Sequence, residues 1–255
     1  MIPPNTLILF EADGKFFQHP ECLLKLPADA FDFIRLKFTS LDANEEAMSD
    51  NAMRFVKHLS KLRTVSFDQS DTTDRGVSLL AGFEKLEAIS CGDTLVTGKC
   101  LSDLLTCRNL KFIRISAVQI ANEELRHLKK LPLKRLSLGR CVLKPSGLKH
   151  VSQCSGLENL DIGHNPDIND TCVPHIMKMK ELKELTVADT KISFKGMMQL
   201  SHQKIARITF PGSRSQYTSS QLKSISKAFP HVDFMENSPE RVDADYQQLF
   251  SPTSH

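Results

Sequence analysis

An apolar residue followed by a second three positions on and a third five positions on recurs eight times in this 255-residue chain. That recurrence limits what the chain can fold into. The copies are FIRLKF from Phe33, LRTVSF from Leu62, LEAISC from Leu86, LKFIRI from Leu110, LKRLSL from Leu133, LENLDI from Leu157, LKELTV from Leu182 and IARITF from Ile205, and a ninth, FPHVDF, begins at Phe229. Successive starts lie 29, 24, 24, 23, 24, 25, 23 and 24 residues apart. Spacing this regular specifies a stack of repeats, because one such unit cannot bury its apolar side alone.

Within a unit, apolar residues at positions 1, 4 and 6 turn one face of a short strand inward. Position 11 is again apolar, as Val96, Ile120, Leu143, Ile168 and Ile192. The period then changes to three, with Val77 and Leu80, Leu101 and Leu104, Leu125 and Leu128, Leu148 and Val151, Val173 and Ile176, and Met197 and Leu200, which reads as a helix. Position 15 is small in Gly76, Cys100, Gly147, Cys172 and Gly196, with Glu124 the exception, and is expected where helix and strand approach closely.

The stretch LKELTVADTKISFKGMMQL, Leu182 to Leu200, is similar to the leucine-rich repeat form LxxLxLxxTxIxxxGLxxL. The resemblance runs from about Phe33 to Phe234 and is nearest the Thr/Asn/Cys-containing repeats of cytosolic and bacterial proteins. It implies an α/β fold: a right-handed solenoid of about eight to nine repeats, with a concave parallel sheet and convex helices. The first unit departs from the pattern through extra residues expected at LDANEEA, and the unit from Ile205 carries the polar SRSQYTSSQ. The expected division is an N-terminal cap over 1–32, the solenoid over 33–235 and a polar, partly disordered tail over 236–255. In the cap, NTLILF is expected to add a strand and FFQHPECLLKL a helix. In the tail, YQQLF is expected to pack on the last repeat, with a docking or phosphorylation segment as the alternative.

Seven cysteines at scattered positions argue for reduced thiols, and no signal-peptide pattern or long apolar run occurs, so the expected location is cytoplasmic, with no membrane contact. A net charge of +3 neither requires nor excludes nucleic acid. The chain has no GxSxG, HExxH, CxxC or phosphate-binding glycine loop, and no enzymatic activity or cofactor is expected. His127, His150 and His175 fall in one column on the helical face, as surface residues rather than metal ligands. Cys91, Cys100, Cys107, Cys154 and Cys172 read as packing residues. Cys141 belongs to a ladder with Ser70, Thr94, Val118, Asn165, Thr190 and Ser213, in which side chains satisfy backbone groups where the strand turns away; Asn165 is its strongest rung.

Function is expected on the concave face, at strand positions the fold leaves open. There Lys111, Phe112, Arg114, Lys134, Arg135 and Arg140 form a basic strip leading to His164, beside the acidic Glu158, Asp161, Glu184 and Asp189. An aromatic among cations suits an interface anchor. The expected role is a noncatalytic, monomeric interaction module for a protein or peptide with an acidic segment. The alternatives are a substrate-receptor or regulatory subunit of a ubiquitin-ligase-like or kinase-associated assembly, against which the absence of an F-box-like segment weighs, and RNA binding, against which the single concave aromatic weighs.

Overall fold

A computed structural model describes residues 7–12, 14–38, 47–211 and 216–235 of the chain. Ten parallel strands form one sheet in sequence order: β1 Leu9–Ala12, β2 Phe33–Leu36, β3 Thr64–Ser66, β4 Ala88–Gly92, β5 Phe112–Ser116, β6 Arg135–Ser137, β7 Asn159–Asp161, β8 Glu184–Thr186, β9 Arg207–Pro211 and β10 His231–Met235. Each strand is only three to five residues long, and none runs beyond the seventh position of its repeat. The return segments are short α-helices, such as Pro145–Val151 and Phe194–Leu200, or 3₁₀ segments, such as Lys99–Thr106 and Asn122–Lys130. Packed between sheet and helices, Leu62, Leu86, Leu110, Leu157 and Ile113 are fully buried, whereas Phe31 in the first repeat is partly buried.

Strand register corrects the reading of the first unit by two residues. Phe33 pairs with Thr64 and Ile34 with Val65, so Phe31, Ile34 and Leu36 occupy positions 1, 4 and 6, and Phe33 sits at position 3. A two-residue shift keeps every side chain on its own face of a strand, so alternation alone cannot distinguish the two registers. Leu9 and Phe10, the end of NTLILF, begin β1, with Leu9 paired to Phe33, so the strand expected in the cap joins the nine of the repeat copies to make ten. The inserted LDANEEA segment falls largely outside the described residues, and Ser213 and the tail over 236–255 fall wholly outside them.

Two sets of side chains join neighbouring repeats. Asn165, fully buried, accepts N–H bonds from Cys141 (3.0 Å) and Leu143 (2.9 Å), and its amide group lies 2.9 Å from the carbonyls of Leu138, Ile162 and Gly163. The Cys141 thiol donates back to the Ile115 carbonyl at 2.9 Å. On the helical side, Asp50, Asp74, Asn122 and Asp170 each reach forward to the next repeat, accepting from the backbone N–H of Thr73, Thr97, Lys144 and Ser193 respectively. This explains the glycines at position 15. A Cβ at Gly76, Gly147 or Gly196 would collide with the side-chain oxygen of Asp50, Asn122 or Asp170, so the close approach is to the preceding repeat's acid or amide.

Burial raises the six inward thiols: Cys141 and Cys154 are pushed up to about 12, and Cys91, Cys100, Cys107 and Cys172 are raised as well. They are therefore poor nucleophiles near neutral pH. Past strands β3 to β8, Gln69, Asp93, Ala117, Arg140, His164 and Asp189 hold φ between 51° and 58°, a left-handed column without a glycine.

Candidate functional site

The concave surface is built from strand positions 2, 3 and 5 and the two residues that follow each strand. Paired strands lie about 4.8 Å apart. Register therefore sets Phe112, Arg135 and Asn159 in one row across β5, β6 and β7, and Arg114, Ser137 and Asp161 in another. Half-buried Phe112 carries the Arg135 guanidinium over its ring at 5.3 Å from the centroid. Lys111 is exposed at the start of β5, and Arg140 is exposed beyond the end of β6.

The other charges of this face are largely engaged with one another. Arg114 donates to Asp68 at 2.9 Å, and both side chains are about four-fifths covered. Asp68 also accepts from the Ser90 hydroxyl (2.6 Å) and the Gly92 N–H (2.5 Å). The missing Cβ of Gly92 makes this possible, since one there would lie 3.0 Å from the Asp68 carboxylate and 2.9 Å from the Ser116 hydroxyl. Glu158 is held between Lys134 at 2.7 Å and Lys183 at 2.6 Å. This triad crosses the expected boundary between the basic and acidic halves, because in-register strands bring positions 24 and 25 residues apart into direct contact. Asp161 accepts from the Ser137 hydroxyl (2.8 Å) and the Gly163 N–H (2.9 Å), and His164 Nδ1 lies 2.7 Å from Asp189.

The structure thus brings Phe112, Arg114 and Arg135 together on β5 and β6, with Lys111 just before β5. It sets Lys134 and Glu158 along the starting edge of the sheet, and Arg140 and His164 on the opposite edge. Among the described residues no ion pair reaches Lys111 or Arg140. Sequence reasoning missed Asp68 and Lys183. Asp68 was visible as the one acid in a column otherwise held by Gly92, Ser116, Gly139, Gly163 and Ala188. A cleft of 180 Å³ opens at the second edge, lined by Arg140, Val142, Leu143, His164, Pro166 and Asp167.

Hydrogen bonds from Lys134, then Lys183, hold the Glu158 carboxyl at about 2, against about 4.3 for an unfolded glutamate. A carboxyl depressed in the folded state stabilises fully above its unfolded value and loses that contribution as pH falls toward the folded one. The melting-temperature gap between wild type and Glu158→Gln is therefore expected to be constant above about pH 5 and to close between about pH 4.3 and 2. Thermal unfolding followed by circular dichroism across that range measures it, and a gap that persists at pH 2 contradicts the assignment. The gap is small, since all three side chains are partly solvated.

On the helical face His127 lies 3.4 Å from Glu124 and His150 3.7 Å from Glu123. Among the described residues no group of three His, Cys, Asp or Glu could hold a metal ion, and no helix is long and apolar enough to cross a membrane.

No family model matches the sequence, and no curated protein matches it. Solved structures do match. An internalin (inlF) of Listeria monocytogenes superposes with a TM-score of 0.52 at 15% identity, over 82% of this chain and 62% of that one. A chain of the TLR13–ssRNA13 complex aligns with a TM-score of 0.49 at 15% identity, over 85% of this chain and 34% of that one. The chain spans less than two thirds of the length of either. The likeness is one of fold.

Proposed function

We propose that this leucine-rich-repeat solenoid is a noncatalytic interaction module whose concave β5–β6 band takes an extended acidic segment of a protein partner. The observation that carries the reading is the Phe112–Arg135 stack with Lys111 exposed beside it, on a face where Arg114 and Asp68, and Lys134, Glu158 and Lys183, are engaged with one another. An engaged charge is already compensated, so a ligand gains little from it. A cation without an ion-pair partner gains more. From Lys111 to the level of Arg140 the sheet spans six positions, about 20 Å at 3.3 Å per residue, the length of a short extended peptide. Phe112 supplies apolar area that such a peptide would cover.

Selection of a random peptide library on the immobilised protein tests this. The expected outcome is enrichment of sequences rich in Asp and Glu, and Lys111→Glu combined with Phe112→Ala is expected to weaken the selected peptides by at least about tenfold. Enrichment of basic or uncharged sequences, unchanged affinity in that variant, or tighter binding of a uridine oligonucleotide would each overturn the reading.

A further inference from the structure

We infer that the cleft between residues 140–143 and 164–167 is a single-residue pocket for a glutamate side chain of the bound segment. The inference rests on the acidic-peptide reading and adds a second contact to it, at the sheet edge.

Size is the first argument. At 180 Å³ the cleft is below the roughly 300–1,000 Å³ of sites for small molecules and matches one amino-acid side chain. Its lining is the second. Val142, Leu143 and Pro166 offer apolar walls to a short methylene stem, and Arg140 offers a planar donor fork to the carboxylate at its end. His164 also lines the cleft, and Asp189 holds its Nδ1 at 2.7 Å, which leaves Nε2 as the second ring nitrogen. Asp167, also in the lining, repels an anion in proportion to its charge and so disfavours a phosphate dianion more than a carboxylate, and it provides an acceptor for a peptide N–H.

Backbone strain at one of the lining residues is the third argument. The left-handed column has one such residue after each of strands β3 to β8, but this loop has a second, Val142, at φ 52°. A β-branched residue in that region is a true outlier. It persists because Asn165 accepts from the N–H groups on both sides of it, those of Cys141 and Leu143. The same clamp leaves the Val142 side chain 50% exposed at the cleft. Backbone strain held in place by a buried side chain beside a cleft is the arrangement expected where a wall must be kept open before the ligand arrives.

The probe is N-acetyl-glutamate N-methylamide, titrated into the full chain while the Val142 methyl and Arg140 Nε–H resonances are followed by NMR. Saturable shifts confined to this cleft are expected. The glutamine and phosphoserine counterparts are expected to bind at least about tenfold more weakly, and Arg140→Gln to lose about tenfold. Arg140→Lys, which keeps the charge but not the fork, is expected to fall between. Equal binding of the glutamine compound, tighter binding of the phosphoserine compound, no saturation by the glutamate compound, or unchanged binding in Arg140→Gln would overturn the pocket. The Lys111→Glu, Phe112→Ala variant separates this from the parent reading. Its retention of the selected peptides with an intact probe response defeats the band and spares the cleft. Peptide binding by wild type without probe saturation defeats the cleft and spares the band.

Discussion

Replacing Asn165 with leucine is expected to destabilise the chain by about 3–5 kcal/mol, read from the midpoint of urea unfolding. The residue is fully buried, so water cannot take over its bonds without opening the stack. Leucine is close in size, so the loss is one of polar partners and not of volume. The N–H groups of Cys141 and Leu143 would each lose the Oδ1 acceptor, and the carbonyls of Leu138 and Ile162 their amide donor. Gly163 is less affected, since its carbonyl also accepts from the Arg140 N–H at 3.0 Å. Orphaned buried groups cost about 1–3 kcal/mol each, and partial relaxation brings the sum down to the stated range. A loss under about 1 kcal/mol would mean that these groups find other partners in the variant.

Asp74→Ala is expected to cost about 2–3 kcal/mol in the same measurement. Its carboxylate accepts from Thr97 N–H (3.1 Å), Thr97 Oγ1 (2.6 Å), Gly98 N–H (3.0 Å) and Cys100 N–H (3.2 Å), the donors that begin the 3₁₀ segment Lys99–Thr106. Burial pushes the Asp74 carboxyl up, but the bonds from Thr97 and Cys100 more than offset it and leave it below its ordinary value. Its contribution is therefore complete above the unfolded carboxyl value of about 3.9 and fades as pH falls below it. Asp74→Asn keeps an acceptor without the charge, so a loss between wild type and alanine is expected. An alanine variant as stable as wild type would assign the start of that segment to other contacts.

The repeat period was legible because it rests on burial, and burial is written residue by residue. Each copy from Leu62 to Phe229 begins where the strand register requires, whereas Phe33 was misread because FDFIRLKF holds two apolar triads two residues apart, both with the correct parity. Asn165 was legible as a rung because its column recurs. The forward reach of Asp50, Asp74, Asn122 and Asp170 was not. The acid column and the small column can each be read, but their contact joins one repeat to the next across 25 or 26 residues.

The candidate site divides the same way. Lys134 and Glu158 follow from adjacent in-register strands. Arg114 and Asp68 lie 46 residues apart, with β4 between them, and meet only because Ser90 and Gly92 are small enough to let an arginine cross. Side-chain reach over an intervening strand is a property of packing that no single column displays.

The left-handed column past the strands has a consequence for how this sequence tolerates change. Glutamine, aspartate, alanine, arginine and histidine all occupy it in successive repeats at nearly the same φ. The conformational cost of the bend, about 1–2 kcal/mol per residue, is set mainly by the Cβ that all of them share. Among residues not branched at Cβ, identity at these positions is thus nearly invisible to folding, while each side chain is carried on the same bend at the edge of the sheet. Substitutions accumulating along this edge would change what the molecule recognises and leave its stability almost untouched, so that binding specificity and fold can drift separately.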